Sequence, residues 1–121
     1  MIVLDANYIL RYLLKDDEKM FLDAKAVITK ERCILLNEVL AEVVYVLQGV
    51  YSIPKSVITQ TLGDFVSLES MVMYEQKSVF IEALHLYNDR NIDYVDATLC
   101  ALKDTYQIKS FDKKLMKCVN R

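Results

Sequence analysis

The sequence predicts an α/β domain, an α/β/α sandwich in which helices flank a short central parallel sheet. Three observations carry that class. Short strand-length runs at 2–4, 33–36, 71–74 and 107–111 each end at a polar residue. The longer segments between them repeat apolar residues at helical spacing. The alternation continues without a repeat, a low-complexity stretch or a linker, so 121 residues read as a single domain, 1–121.

The elements follow in order. Ile2-Val3-Leu4 reads as a buried strand that delivers Asp5 at its C-terminal end. Ala6 to Leu14 is an apolar helix with Arg11 and Lys15 as its only charges. Asp16-Asp17-Glu18 forms the acidic first turn of a second helix reaching Lys30, where carboxylates meet the positive end of the helix dipole. Cys33 to Leu36 is the second strand, and Asn37 caps a helix from Glu38 to about Gln48. That helix is apolar nearly all round, which predicts burial on most sides. Glu42 stands inside it, where an ionised carboxylate is costly unless paired or bound to a metal. Glu38, one turn earlier, is explained by the helix start.

Gly49 to Ile53 is a loop, and Pro54 suits the first turn of a helix running to about Leu68. Gly63 in its interior costs about 1 kcal/mol relative to alanine, which close packing would explain. Met71 to Tyr74 is the third strand. Glu75 to Asn88 is amphipathic, with Val79, Phe80, Ala83, Leu84 and Tyr87 as its inner stripe. The single histidine, His85, lies in it and reads as a surface or packed imidazole. A further helix begins near Asp93, with Val95, Leu99 and Leu102 near one face. Gln107 to Phe111 is a last strand, and Asp112 opens a final helix through Val119.

Composition narrows the class. An apolar fraction of 54% is high for a chain this small and predicts a buried partner face, most simply a homodimer. No run approaches membrane-spanning length, and the N-terminus lacks the basic lead of a signal peptide. Cys33, Cys100 and Cys118 are odd in number and lack metal-type spacing, which predicts reduced thiols and a cytoplasmic protein. The net charge of −2 does not advertise a nucleic-acid binder. Its distribution says more, because 109–121 holds Lys109, Lys113, Lys114, Lys117 and Arg121 against Asp112 alone. Such a run is either a solvated terminal helix or a patch for a phosphate backbone.

The acids carry the chemistry. Asp5 and Asp112 end strands, Glu42 lies in the second turn of a helix entered from a strand, and Asp96 lies in a helix's first turn. Helix capping accounts for Asp93 and Asp96 by itself. If the sheet is parallel, however, Asp5, Glu42, Asp96 and Asp112 all reach one edge, where ligands of α/β sheets bind. Four converging carboxylates repel unless a cation neutralises them. An all-oxygen set suits Mg²⁺ or Mn²⁺, which activates water against a phosphodiester. Asn7 and Ser110, two residues from Asp5 and Asp112, are placed to orient ligands or water.

Four blocks carry a family resemblance: Val3-Leu4-Asp5-Ala6-Asn7-Tyr8-Ile9-Leu10, Leu40-Ala41-Glu42-Val43-Val44-Tyr45-Val46-Leu47, Asp93-Tyr94-Val95-Asp96-Ala97 and Ser110-Phe111-Asp112-Lys113-Lys114-Leu115. In order and spacing they resemble the signature blocks of PIN-domain nucleases, and most closely the VapC-type toxins of toxin–antitoxin pairs. The resemblance implies a PIN-like fold, with metal-binding and catalytic roles for Asp5, Glu42, Asp96 and Asp112. It implies supporting roles for Asn7 and Ser110, a helix-start role with site contact for Asp93, and an RNA substrate; Arg11, Lys109, Lys113 and Lys114 are the candidate cations for holding that substrate. It further implies a Mg²⁺- or Mn²⁺-dependent endoribonuclease leaving a 5′-phosphate and a 3′-hydroxyl, a homodimer, and a small VapB-type antitoxin as partner. Ala6 replaces the small hydroxyl residue often found after the first Asp, and Ser110 stands where Thr is commoner.

Competing readings fit less well. A phospho-acceptor receiver domain needs an acidic pair after its first strand, yet Asp5 is followed by Ala6 and Asn7. A haloacid-dehalogenase-like phosphatase needs an aspartate where Asn7 stands. A non-catalytic PIN-like module acting only in RNA or protein binding would be marked by loss of one or more of the acids, and all four are present. The alternative to a toxin is a non-toxin PIN-like RNA-processing or binding protein. DNA nucleases among the relatives carry large insertions that this chain lacks.

Overall fold

A computed structural model describes residues 1–121. The architecture is α/β/α, with a short parallel sheet and flanking helices. Strands β1 (Ile2–Val3), β2 (Cys33–Ile34) and β3 (Met71–Val72) lie in the order β1-β2-β3, and both pairs are parallel. Helices α1 (Ala6–Leu14), α2 (Glu18–Lys30), α3 (Asn37–Gly49), α4 (Lys55–Val66), α5 (Lys77–Asp89), α6 (Tyr94–Ala101) and α7 (Lys113–Val119) complete the chain. No helix is long and apolar enough to cross a membrane. Two compact units are formed, Met1–Ser52 with Ser67–Tyr74, and Ile53–Val66 with Glu75–Arg121.

The first unit holds the sheet. Its ladder includes Ile2 N–H to Arg32 C=O at 3.1 Å, Cys33 N–H to Ser70 C=O at 2.9 Å and Leu35 N–H to Val72 C=O at 2.9 Å. Leu4, Ile9, Leu10, Ile28, Leu35, Leu40, Val43, Val44 and Met71 form its core, each large side chain contributing roughly 1.5–3 kcal/mol by burial. The first strand is not buried throughout, since pleating turns Val3 outward while Leu4 turns in. Asp17 caps α2 by accepting the Met20 N–H, and Asp16 instead pairs with Arg11 at 2.6 Å.

Two expectations for α3 need correction. Leu36, not Asn37, takes the cap position, its carbonyl receiving the Val39 and Leu40 N–H groups at 3.0 Å. Nor is Glu42 buried: α3 covers Leu40, Ala41, Val43, Val44 and Leu47 but leaves Glu38, Glu42 and Tyr45 open to solvent. Positions 38, 42 and 45 form one stripe of the helix. Tyr45, counted as apolar, sits on that wet stripe, so the composition of the helix overstated its burial.

The second unit is helical. Helix α4 begins one residue after Pro54, whose carbonyl accepts from Val57 and Ile58 N–H at 3.0 Å. The buried Thr59 hydroxyl donates to the Leu84 carbonyl at 3.1 Å, joining α4 to α5. Tyr87 of α5 meets Tyr94 of α6 edge to face at 6.5 Å. Burial holds the Tyr94 hydroxyl well above its ordinary pKa. A methyl group at Gly63 would meet no atom within 4 Å, so close packing is not the reason for that glycine.

The strand expected at 107–111 does not form: the sheet has three strands, and this segment is not one of them. Its alternation, with Ile108 and Ser110 half-buried between exposed Gln107, Lys109 and Phe111, has no ladder partner. Asp112 therefore follows an irregular segment, not a strand. The expectation of three reduced thiols is also overturned. Cys100 of α6 is disulfide-bonded to Cys118 of α7, with Cα atoms 6.1 Å apart. Helix packing makes that pairing, and the 18-residue separation in sequence gave no sign of it. Cys33 remains a buried free thiol whose pKa is pushed up by burial and then by Glu31.

Candidate functional site

Each unit presents acidic residues at helix starts, for a local reason. A helix leaves its first N–H groups without partners, and an aspartate at the cap position accepts one of them. In the first unit Asp5 caps α1, accepting the Tyr8 N–H at 2.8 Å. Asp5, Asn7, Tyr8, Arg11, Met20 and Asp23 line a cleft of about 230 Å³. Arg11 is fixed there by Asp16 at 2.6 Å and by the Tyr51 hydroxyl at 3.4 Å, and its buried Nε has no hydrogen-bond partner. Thus Asp5, Asn7 and Arg11 share one cleft, while Glu42 stands exposed on α3.

In the second unit Asp93 caps α6 by accepting the N–H of Asp96 at 2.8 Å. Asp112 caps α7 by accepting the Leu115 N–H at 2.9 Å. Its own N–H donates to the Ser110 hydroxyl at 3.0 Å, so Ser110 orients the start of α7. Asp96 is half-buried, and burial pushes its carboxyl above the ordinary range. The charges of Asp93 and Asp112 push it further, and Lys114 draws it back. Asp96 is thus the acid of this unit on which two like charges and one cation act.

The other cations predicted to hold RNA, Arg11, Lys109 and Lys113, do not share one site. Lys109 lines a different cleft with Lys103, Ser110 and Arg121, and Lys113 is exposed in the first turn of α7. His85 is exposed on α5. No group of three or more Asp, Glu, His or Cys side chains is drawn tightly enough together to hold a metal ion. The predicted donors are all carboxylates, the oxygen chemistry that a hard dication takes.

Sequence reasoning missed Tyr51 as the second partner of Arg11 and Asp23 as a wall of the Asp5 cleft. Both pairings join residues far apart in the chain, and only the packing of α1 against its neighbours brings them together. Arg90, at the end of α5, was likewise not singled out, having no basic neighbours in sequence to mark it.

A family model for the PIN domain matches residues 2–117. No curated protein and no solved structure matches the chain.

Proposed function

The chain belongs to the PIN-domain family, and on that footing we propose that it is a divalent-metal-dependent endoribonuclease, the toxin of a toxin–antitoxin pair. The observation that carries the reading is the match of the PIN-domain model over residues 2–117, within which Asp5, Glu42, Asp96 and Asp112 are all present. Under this reading Asp5, Glu42, Asp96 and Asp112 hold Mg²⁺ or Mn²⁺. When bound, that ion supplies Lewis-acid polarisation of the phosphodiester and an acidified water.

The protein's own residues do the remaining work. Asp93 and Ser110 hold the backbone at Asp96 and Asp112 by accepting their N–H groups. Lys114 places positive charge where a phosphate would approach Asp96. Phe111, fully exposed beside Asp112, offers a ring on which a base can stack. Water adds to phosphorus, the bond to the 3′ oxygen breaks, and that oxygen leaves with a proton as the 3′-hydroxyl. The fragment on the other side keeps the 5′-phosphate.

The same proposal includes a homodimer and neutralisation by a small VapB-type antitoxin. Action in the cytoplasm follows from the family likeness alone, because the Cys100–Cys118 bond removes the argument from reduced thiols. Large apolar side chains left in solvent, among them Val3, Tyr45, Tyr74 and Phe111, support partner surfaces of some kind.

The test is cleavage of a mixed RNA pool with Mg²⁺ or Mn²⁺ by wild type, Asp5→Asn and Asp96→Asn. Both substitutions keep size and remove a negative ligand. The expected result is cutting by wild type alone, stopped by a chelator. Equal cutting by the variants would sink the assignment of these acids.

A further inference from the structure

The second unit carries a concave surface that the acidic set does not explain. It encloses about 160 Å³ and is lined by Arg90, Ile92, Lys114, Lys117, Cys118 and Arg121. Four of these six are cations and none is an acid, in a chain with 17 acidic and 15 basic residues. Composition therefore does not produce the cluster; the fold does. Arg90 ends α5, Lys114 and Lys117 lie three residues apart on one face of α7, and the disulfide holds Cys118 to α6. None of the four cations is within ion-pair distance of a carboxylate side chain.

Like charges gathered into one concavity repel, and an anion is the group that relieves them. Ile92 and Cys118 are buried, so the floor of the cleft is apolar beneath a cationic rim. A sugar–phosphate unit has matching faces, C–H surface on the ribose and charged oxygens on the phosphate. Lys114 lines this cleft and lies in the first turn of α7, two residues after its cap Asp112. A ligand in the cleft thus lies beside the start of α7, where Asp112 stands. We propose that the cleft formed by Arg90, Lys114, Lys117 and Arg121 is a phosphate subsite for RNA, holding a backbone phosphate near the one that is cut. The proposal rests on the ribonuclease reading and deepens it by naming where the chain of the substrate is gripped.

The test begins with an amide NMR titration of the full chain with inorganic phosphate. The expected result is a set of shifts at Arg90, Ile92 and Lys114 to Cys118 that disappears in the double variant Arg90→Gln/Lys117→Gln. Binding of a single-stranded RNA of about eight nucleotides is then measured against salt in Ca²⁺. The double variant is expected to bind about tenfold more weakly, with the slope of log affinity on log salt reduced by about 0.7, the value for one phosphate on a single strand. The control pair Lys19→Gln/Lys30→Gln, exposed on α2, should leave the slope unchanged.

Absence of phosphate shifts at the cleft, or an equal loss in the control pair, overturns the subsite. So does a polyglutamate peptide that shifts the same amides as strongly as RNA, since the cleft would then serve an acidic protein. RNA cleavage by wild type separates the two levels. Cutting without phosphate binding at the cleft sinks the subsite alone, whereas phosphate and RNA binding without cutting sinks the reaction and leaves the subsite standing.

Discussion

Asp112 has two duties that can be separated at the level of one side chain. It caps α7 through the Leu115 N–H, and it is a proposed metal ligand. Asparagine also caps helices well, whereas alanine does not. Asp112→Ala is therefore expected to lose about 1 kcal/mol of stability and Asp112→Asn far less, while both lose RNA cleavage. Urea denaturation beside the cleavage assay reads the two duties independently, and equal stability of the variants would remove the cap argument. Glu42 gives the opposite pattern. Because it is exposed on α3, Glu42→Gln is expected to change stability by no more than about 0.5 kcal/mol and still abolish cleavage. A Glu42→Gln protein that cuts RNA normally would exclude this residue from the site.

At the scale of elements, helix α4 carries a correctable weakness. Gly63 sits in its interior with open space where a methyl would go. Gly63→Ala is expected to stabilise the protein by about 1 kcal/mol, measured as a higher urea midpoint at unchanged m. A lower midpoint would mean that the backbone there needs glycine after all. Helices α1 and α6 show why most element boundaries were legible: each starts directly after an aspartate whose side chain accepts the N–H three residues on. Local hydrogen bonding of this kind is written in adjacent residues. The segment 107–111 shows the limit, since its alternation is that of a strand but a strand exists only where another chain segment takes its hydrogen bonds.

For the molecule as a whole, the bond between Cys100 and Cys118 closes a loop of chain 18 residues apart in sequence. Removing a cross-link of that size is expected to cost about 3 kcal/mol, through the freedom returned to the unfolded chain. Denaturation with and without a dithiol reductant, compared with Cys100→Ser/Cys118→Ser, measures this. Identical midpoints in all three would show that the bond is not formed in solution. The bond spans the segment that carries Ser110, Asp112 and Lys114 and ties α7 to α6, which carries Asp96. Reduction is therefore expected to loosen the surroundings of the acidic set before the first unit is affected.

The sequence by itself determined the α/β class, the three parallel strands, all seven helices to within a few residues, and the acids worth testing. Those features depend on periodicity, on capping and on the four short blocks, all of which act over neighbouring residues. Only the tertiary structure decided that Glu42 faces water, that Cys100 meets Cys118, that 107–111 is not a strand, and that Arg90 joins the basic residues of the last helix. Each of these depends on which face of an element is covered and by what. That is settled by packing between segments distant in the chain, where periodicity and local propensity carry no information.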